Sequence, residues 1–182
     1  MELLKKNDSL EYFVEKGFSP KYLEPIAKNV LWKIRNKWDD YNEVSHCCKF
    51  IESVRESRDI WIETHFIKND SKILGVIFVT GGKVDLNQLF KVNLPYQFQE
   101  GKSIIISYFH IIPETRGVGE EWLRNVVIPY YREKGIEEIF IKSSHLKAFS
   151  LYARLGKEIE TYTTQSDNRL YSRKGKIFLI KI

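Results

Sequence analysis

Residues 103–112, SIIISYFHII, form the segment that most constrains the fold. Ten residues rich in β-branched and aromatic side chains, without a charge, read as a strand. Pro113 has no N–H to give to a ladder and stops it. A strand apolar on both faces needs cover on both sides, so the chain must supply helices above and below one sheet. The stretch beyond the proline is equally informative. HIIPETRGVGEEW runs from the strand through a loop with two glycines into a helix beginning at about Glu120. Such a loop presents successive backbone N–H groups, and a helix start adds unpaired donors at the positive end of its dipole. Together they suit an anion such as a pyrophosphate. Gly117 and Gly119 are expected to let main chain approach the phosphates. No Lys-Ser or Lys-Thr follows the glycines, so this is not a Walker loop, and a Rossmann fingerprint is incomplete.

Downstream, EEWLRNVVIPYYREKG predicts a helix burying Trp122, Val126 and Tyr130, kinked at Pro129. IEEIFIK predicts a strand, LKAFSLYARLG a helix ended by Gly156, and KEIETYT with GKIFLIKI a closing strand pair. Upstream, DIWIETHFI, a turn at NDS and KILGVIFVT predict a hairpin whose second strand is buried on both faces. The first 58 residues read as helical. Ile26, Val30, Ile34 and Trp38 recur every four residues in one helix, with Ser19 before Pro20 as its start. A second helix, from about Asp40 to Ser57, turns Val44, Cys48, Ile51 and Val54 inward. The segment 83–101 reads as an insertion or lid-like loop carrying Phe90, Tyr96 and Phe98. The expectation is a single α/β domain over residues 1–182, with a mixed sheet, an N-terminal helical part to residue 58 and a core from about 59.

Composition excludes other classes. At 43% apolar and 29% charged residues the chain is ordinary globular material. It has no run of about 18 apolar residues for a spanning helix. Its start lacks the pattern of a secretory signal. Cys47 and Cys48, the only cysteines, are adjacent and form no disulfide framework, so a reducing cytoplasm is the expected home. The +5 net charge concentrates from Lys142 onward, where nine Lys or Arg stand against three acids. A basic stretch interleaved with Tyr162, Tyr171 and Phe178 leaves a nucleic-acid partner open alongside coenzyme or an acidic protein. His46, Cys47 and Cys48 have no second ligand group at zinc-like spacing, so no metal is expected.

The loop and its downstream partner carry a family resemblance. Ile111, Pro113, Arg116, Gly117 and Gly119 resemble the first signature motif of the GNAT acetyltransferase superfamily. Ala148, Tyr152, Leu155 and Gly156 resemble its second. The match covers roughly residues 107–158. It implies a GNAT-like acyl-CoA N-acyltransferase fold that moves an acetyl group from acetyl-CoA to a primary amine by direct attack. Ile111, Ile112, Pro113, Arg116, Gly117, Val118, Gly119, Glu120, Glu121, His145 and Ala148 are then the coenzyme-binding positions. Ile111 is expected at the strand bulge whose N–H meets the oxyanion, and Tyr152 is the hydroxyl that protonates the leaving thiolate. The base is assigned to His110, whose ordinary pKa suits proton transfer, with Glu63 in reserve; His65, Ser107 and Tyr108 are further candidates. Three departures stand out: Glu121 where the family has Gly or Ala, His145 for Asn, and Lys157 for Phe. The acidic pair Glu120 and Glu121 is expected to repel a pyrophosphate; Glu121 and His145 favour an inactive GNAT-fold binding or regulatory module as the alternative, and a tRNA-directed acetyltransferase is another. The acceptor is expected to be a small-molecule or peptide amine, and the protein a monomer or homodimer.

Overall fold

A computed structural model describes the chain except for residues 8, 37–41, 116, 168 and 171. Among the described residues, eight strands form one sheet. In chain order they are β1 (Glu2–Asn7), β2 (Leu10–Lys16), β3 (Ile60–Asn69), β4 (Lys72–Gly82), β5 (Ser103–Ile111), β6 (Glu138–Ser143), β7 (Lys157–Gln165) and β8 (Ser172–Lys181). Their spatial order is β1-β2-β3-β4-β5-β6-β8-β7. Every pairing is antiparallel except β5 with β6. The helices are α1 (Leu23–Arg35), α2 (Glu43–Glu56), α3 (Leu86–Phe90), α4 (Val118–Trp122), α5 (Ile128–Glu133) and α6 (Leu146–Leu155). The strands expected from residue 59 onward are all present.

The N-terminal part corrects the reading of residues 1–58 as helical. Glu2–Asn7 and Leu10–Lys16 make the antiparallel pair β1–β2, which extends the sheet through Phe13 opposite Phe66 and Val14 opposite His65. Tyr12 packs on Trp122 from one face, and Phe13 stacks on Phe66 from the other. Two helices follow as expected, but rotated. In α1 the buried positions are Pro25, Ile26 and Lys33, while Ile34 is 58% exposed. The reason is geometric: at 3.6 residues per turn, each four-residue step drifts about 40° around the helix, whereas seven residues return to within about 20°. A stripe stepped only by fours therefore leaves the core after two steps, and its last member, Trp38, lies outside the described residues. In α2 the inward positions are Glu43, Cys47, Ile51 and Val54, so Cys47 rather than Cys48 is the core cysteine.

One face of the sheet packs α4, α5 and α6 around Trp122, Ile77, Ile106, Ile139 and Phe178. The opposite face packs α1 and α2 on Phe66, Val76 and Phe78. The segment 83–101 packs on the sheet and gives Leu89 and Phe90 to the wall of a cavity. Leu86, Phe90 and Leu94 are buried against Ile105, Phe140 and Ile177, and Tyr96 and Phe98 lie edge-on or tilted against Phe140. Pro129 cannot donate to the carbonyl four residues earlier. The chain absorbs this with a π-helical turn at Leu123–Val127 between α4 and α5, so the helix widens where a kink was expected.

Candidate active site

The site is made by a fork in the sheet. β5 and β6 pair in parallel from Ser103 opposite Glu138 to Ile106 opposite Ile141, and the pairing ends there. β5 continues to Ile111 beside β4 alone. At the fork β5 bulges: Val79 is opposite Ile106 and Phe78 opposite Tyr108, so Ser107 is the extra residue. The bulge expected at Ile111 is thus four residues earlier, and Ile111 sits in regular register opposite Gly75. The Ser107 hydroxyl lies 2.9 Å from that of Thr80.

A cavity of about 280 Å³ fills the wedge. Ser107, Tyr108 and His110 of β5, Lys142 and Ser143 of β6, and Tyr152 of α6 line it. The cavity passes through the sheet. Ile106, Ile141 and Tyr152 belong to the α4–α6 side, while Tyr108 and Phe50 pack with the α1–α2 side. Phe90 and Tyr162 close the remaining wall.

Tyr152 is buried, and burial pushes its hydroxyl pKa up, so it stays protonated. His110 is buried, and its Nδ1 lies 3.1 Å from Asn29 Nδ2. Desolvation, then the charges of His145 and Lys33, hold its pKa well below the ordinary histidine value, which makes it a weak base. Lys142 is pushed down to about 8 by burial and then by Lys91; its ammonium donates to the Phe90 carbonyl and lies over the Tyr162 ring.

His145 caps the start of α6, and its Nε2 is 2.8 Å from Glu43 Oε1. The same carboxylate is paired with Lys33, and both partners are almost wholly buried. Glu43 lines the cavity, and its Oε2 has no hydrogen-bond partner among the described residues. Neither Glu43 nor Lys33 is among the residues that the sequence singles out. A stripe stepped in sevens from Ile26, and one anchored on Ile51 and Val54, would expose both.

Glu63 is brought elsewhere. It lies on the α5 side, where Tyr131 donates to it at 2.9 Å and Lys134 at 3.2 Å. His65 joins the same hydroxyl at 2.9 Å, and burial pushes its pKa down to about 3. Neither lines the cavity.

The loop after β5 leaves the strand with the Ile112 N–H bonded to the Leu74 carbonyl at 2.8 Å, and Pro113–Thr115 forms a tight turn. Arg116 lies outside the described residues. Gly117 caps α4 at φ +100°, with open space where a Cβ would stand. Gly119 differs: a Cβ there would come within 2.9 Å of Phe109 and 3.0 Å of Ile111. Its lack of a side chain seats the helix on β5. Val118 and Ala148 pack partly buried against the core. Glu121 is exposed. Glu120 is bonded by Arg124 and Arg154, which hold its carboxyl down at about 2. Its charge is matched by two guanidinium groups, so the expected repulsion rests on Glu121 alone.

Among the described residues no group of three His, Cys, Asp or Glu is placed to hold a metal, and no helix is long and apolar enough to cross a membrane.

No family model and no curated protein sequence matches the chain. Solved structures do. A GNAT family acetyltransferase from Elizabethkingia anophelis, with acetyl-CoA bound, is 13% identical, with 97% of this chain and 100% of that one covered at a TM-score of 0.56. An acetyltransferase from Streptococcus agalactiae is 15% identical, with 94% and 98% covered at 0.55. A ribosomal-protein-alanine N-acetyltransferase from Brucella melitensis is 10% identical, with 93% and 99% covered at 0.55. With its strand order, its fork and these likenesses, the chain has the fold of the GNAT acetyltransferases.

Proposed function

We propose that this protein is an N-acetyltransferase that moves an acetyl group from acetyl-CoA to a primary amine. The observation that carries the reading is the β5–β6 fork. Beyond Ile106 the outer main-chain edge of β5 has no strand partner among the described residues, and it borders a cavity reaching both sheet faces. An extended amide-bearing arm can pair with such an edge as an added strand does. The Gly117 turn at the end of β5 has room for main chain to meet a phosphate. Tyr152, held protonated, is suited to supply a proton to a departing thiolate. Main-chain N–H groups near the Ser107 bulge are suited to receive the oxyanion. His110, neutral and bonded to Asn29, orients groups on the acceptor side rather than taking the proton. The acceptor, a small-molecule or peptide amine, would enter from the α1–α2 side.

Calorimetric titration with acetyl-CoA, followed by turnover on an amine panel, tests this. Saturable binding with product acetyl-amine supports it. No heat at millimolar acetyl-CoA overturns it, and binding without turnover on any amine identifies a coenzyme-binding module instead.

A further inference from the structure

The fold gathers three ionisable side chains at one side of the cavity: Glu43 and His145 line it, and Lys33 is paired with Glu43. Lys33 and Glu43 are each 1% exposed, and His145 reaches Glu43 Oε1 at 2.8 Å. Taking two such charges from water carries a desolvation penalty that their pairing only partly offsets. The pairing is also uneven. Lys33 and His145 both engage Oε1, while Oε2 is buried and has no hydrogen-bond partner among the described residues. A buried carboxylate oxygen left without a donor is destabilising, so the arrangement is poor as structure and suited to a ligand that brings the missing donor. Glu43 lines the cavity with Tyr108, His110 and Lys142. His110 lines the same cavity as Glu43 and His145.

We propose that Glu43 is the catalytic proton acceptor: its Oε2 receives the ammonium of the incoming amine, with Lys33 and His145 positioning the carboxylate through Oε1. This rests on the acetyltransferase reading above. One proton passes from the ammonium to Glu43. The freed nitrogen attacks the thioester carbon, the C–N bond forms and the C–S bond breaks. The thiolate takes its proton from Tyr152, the nitrogen's second proton restores that phenol, and the proton on Glu43 leaves to solvent. A substrate that arrives already neutral has no need of the first transfer.

The test compares butylamine, an ammonium at neutral pH, with hydroxylamine, which is neutral there, as acceptors for acetyl-CoA. Glu43→Gln should lower turnover of butylamine by about a hundredfold while hydroxylamine changes by less than about threefold. Raising the pH should recover butylamine turnover as free amine accumulates. Because Glu43→Gln leaves Lys33 facing an amide, the pair Lys33→Met with Glu43→Gln is measured beside it; the buried ammonium is removed together with the carboxylate, and the same selective loss is expected. Calorimetry with acetyl-CoA on each variant shows that coenzyme binding is kept. Equal loss with both acceptors, or no loss with either, overturns the role of Glu43 while leaving acetyl transfer standing. An unchanged protein that binds no acetyl-CoA and acetylates neither acceptor overturns both readings.

Discussion

Glu120 in the first turn of α4 and Arg154 in the last turn of α6 are joined at 2.5 Å, Oε2 to Nη2, across 34 residues of sequence. Arg124 binds the same carboxylate from one helical turn away at 3.0 Å. The clamp links α4 to α6. Its groups are exposed, so its effect is screened by salt. Because the folded pKa of Glu120 is lowered to about 2 from 4.5, its stabilisation is present above the unfolded value and is lost as pH falls from 4.5 towards 2. Thermal unfolding should show Glu120→Gln less stable than the unchanged protein near neutrality and equal to it at the acid end. The difference should shrink at high salt.

Tyr152→Phe removes a buried hydroxyl at the cavity without changing ring volume. Turnover should fall by about tenfold to a hundredfold. Acetyl-CoA affinity, read by calorimetry, should change by less than about threefold, since the ring still packs on Phe178. Unchanged turnover would remove Tyr152 from the chemistry.

The two loop glycines should separate binding from stability. Gly119→Ala forces a methyl against Phe109 and Ile111 and should cost about 1–3 kcal/mol in denaturant unfolding. Gly117→Ala meets no atom but must hold φ near +100°, a strain of about 1–3 kcal/mol. Its larger effect is expected on acetyl-CoA affinity, as the turn relaxes away from the phosphate-receiving geometry.

The Glu63–Tyr131–His65 chain should matter for stability alone. Tyr131→Phe removes the hydroxyl shared by the two side chains and should cost about 1–3 kcal/mol. Glu63→Gln should leave turnover within about twofold, because Glu63 lies outside the cavity. A large fall in kcat for Glu63→Gln would make it a candidate base again.

Residues read along the chain locate the β5 strand, its proline stop, the glycine turn and Tyr152, because each depends on local chemistry: β-branched runs extend, proline ends a ladder, glycine takes positive φ. They also place the β3–β4 hairpin, whose alternation and turn signal are contiguous. The opening hairpin escapes such reading because β2 pairs with β3, some fifty residues away, and a strand that gains a partner at such a distance leaves a weak local trace. Composition is equally silent about the cavity's polar cluster.

Periodicity and backbone constraint, both written in the chain, are enough to specify the mixed sheet from residue 59 and the glycine turn at the end of β5. Which side chains share the fork is a matter of three-dimensional packing. The rotation of α1 and α2 against the sheet turns Lys33 and Glu43 inward and Ile34 outward. It also sets Glu43 beside His145, residues drawn together by helix packing and not by any spacing along the chain. The bulge at Ser107 belongs to the same class, since it exists only relative to the register of β4.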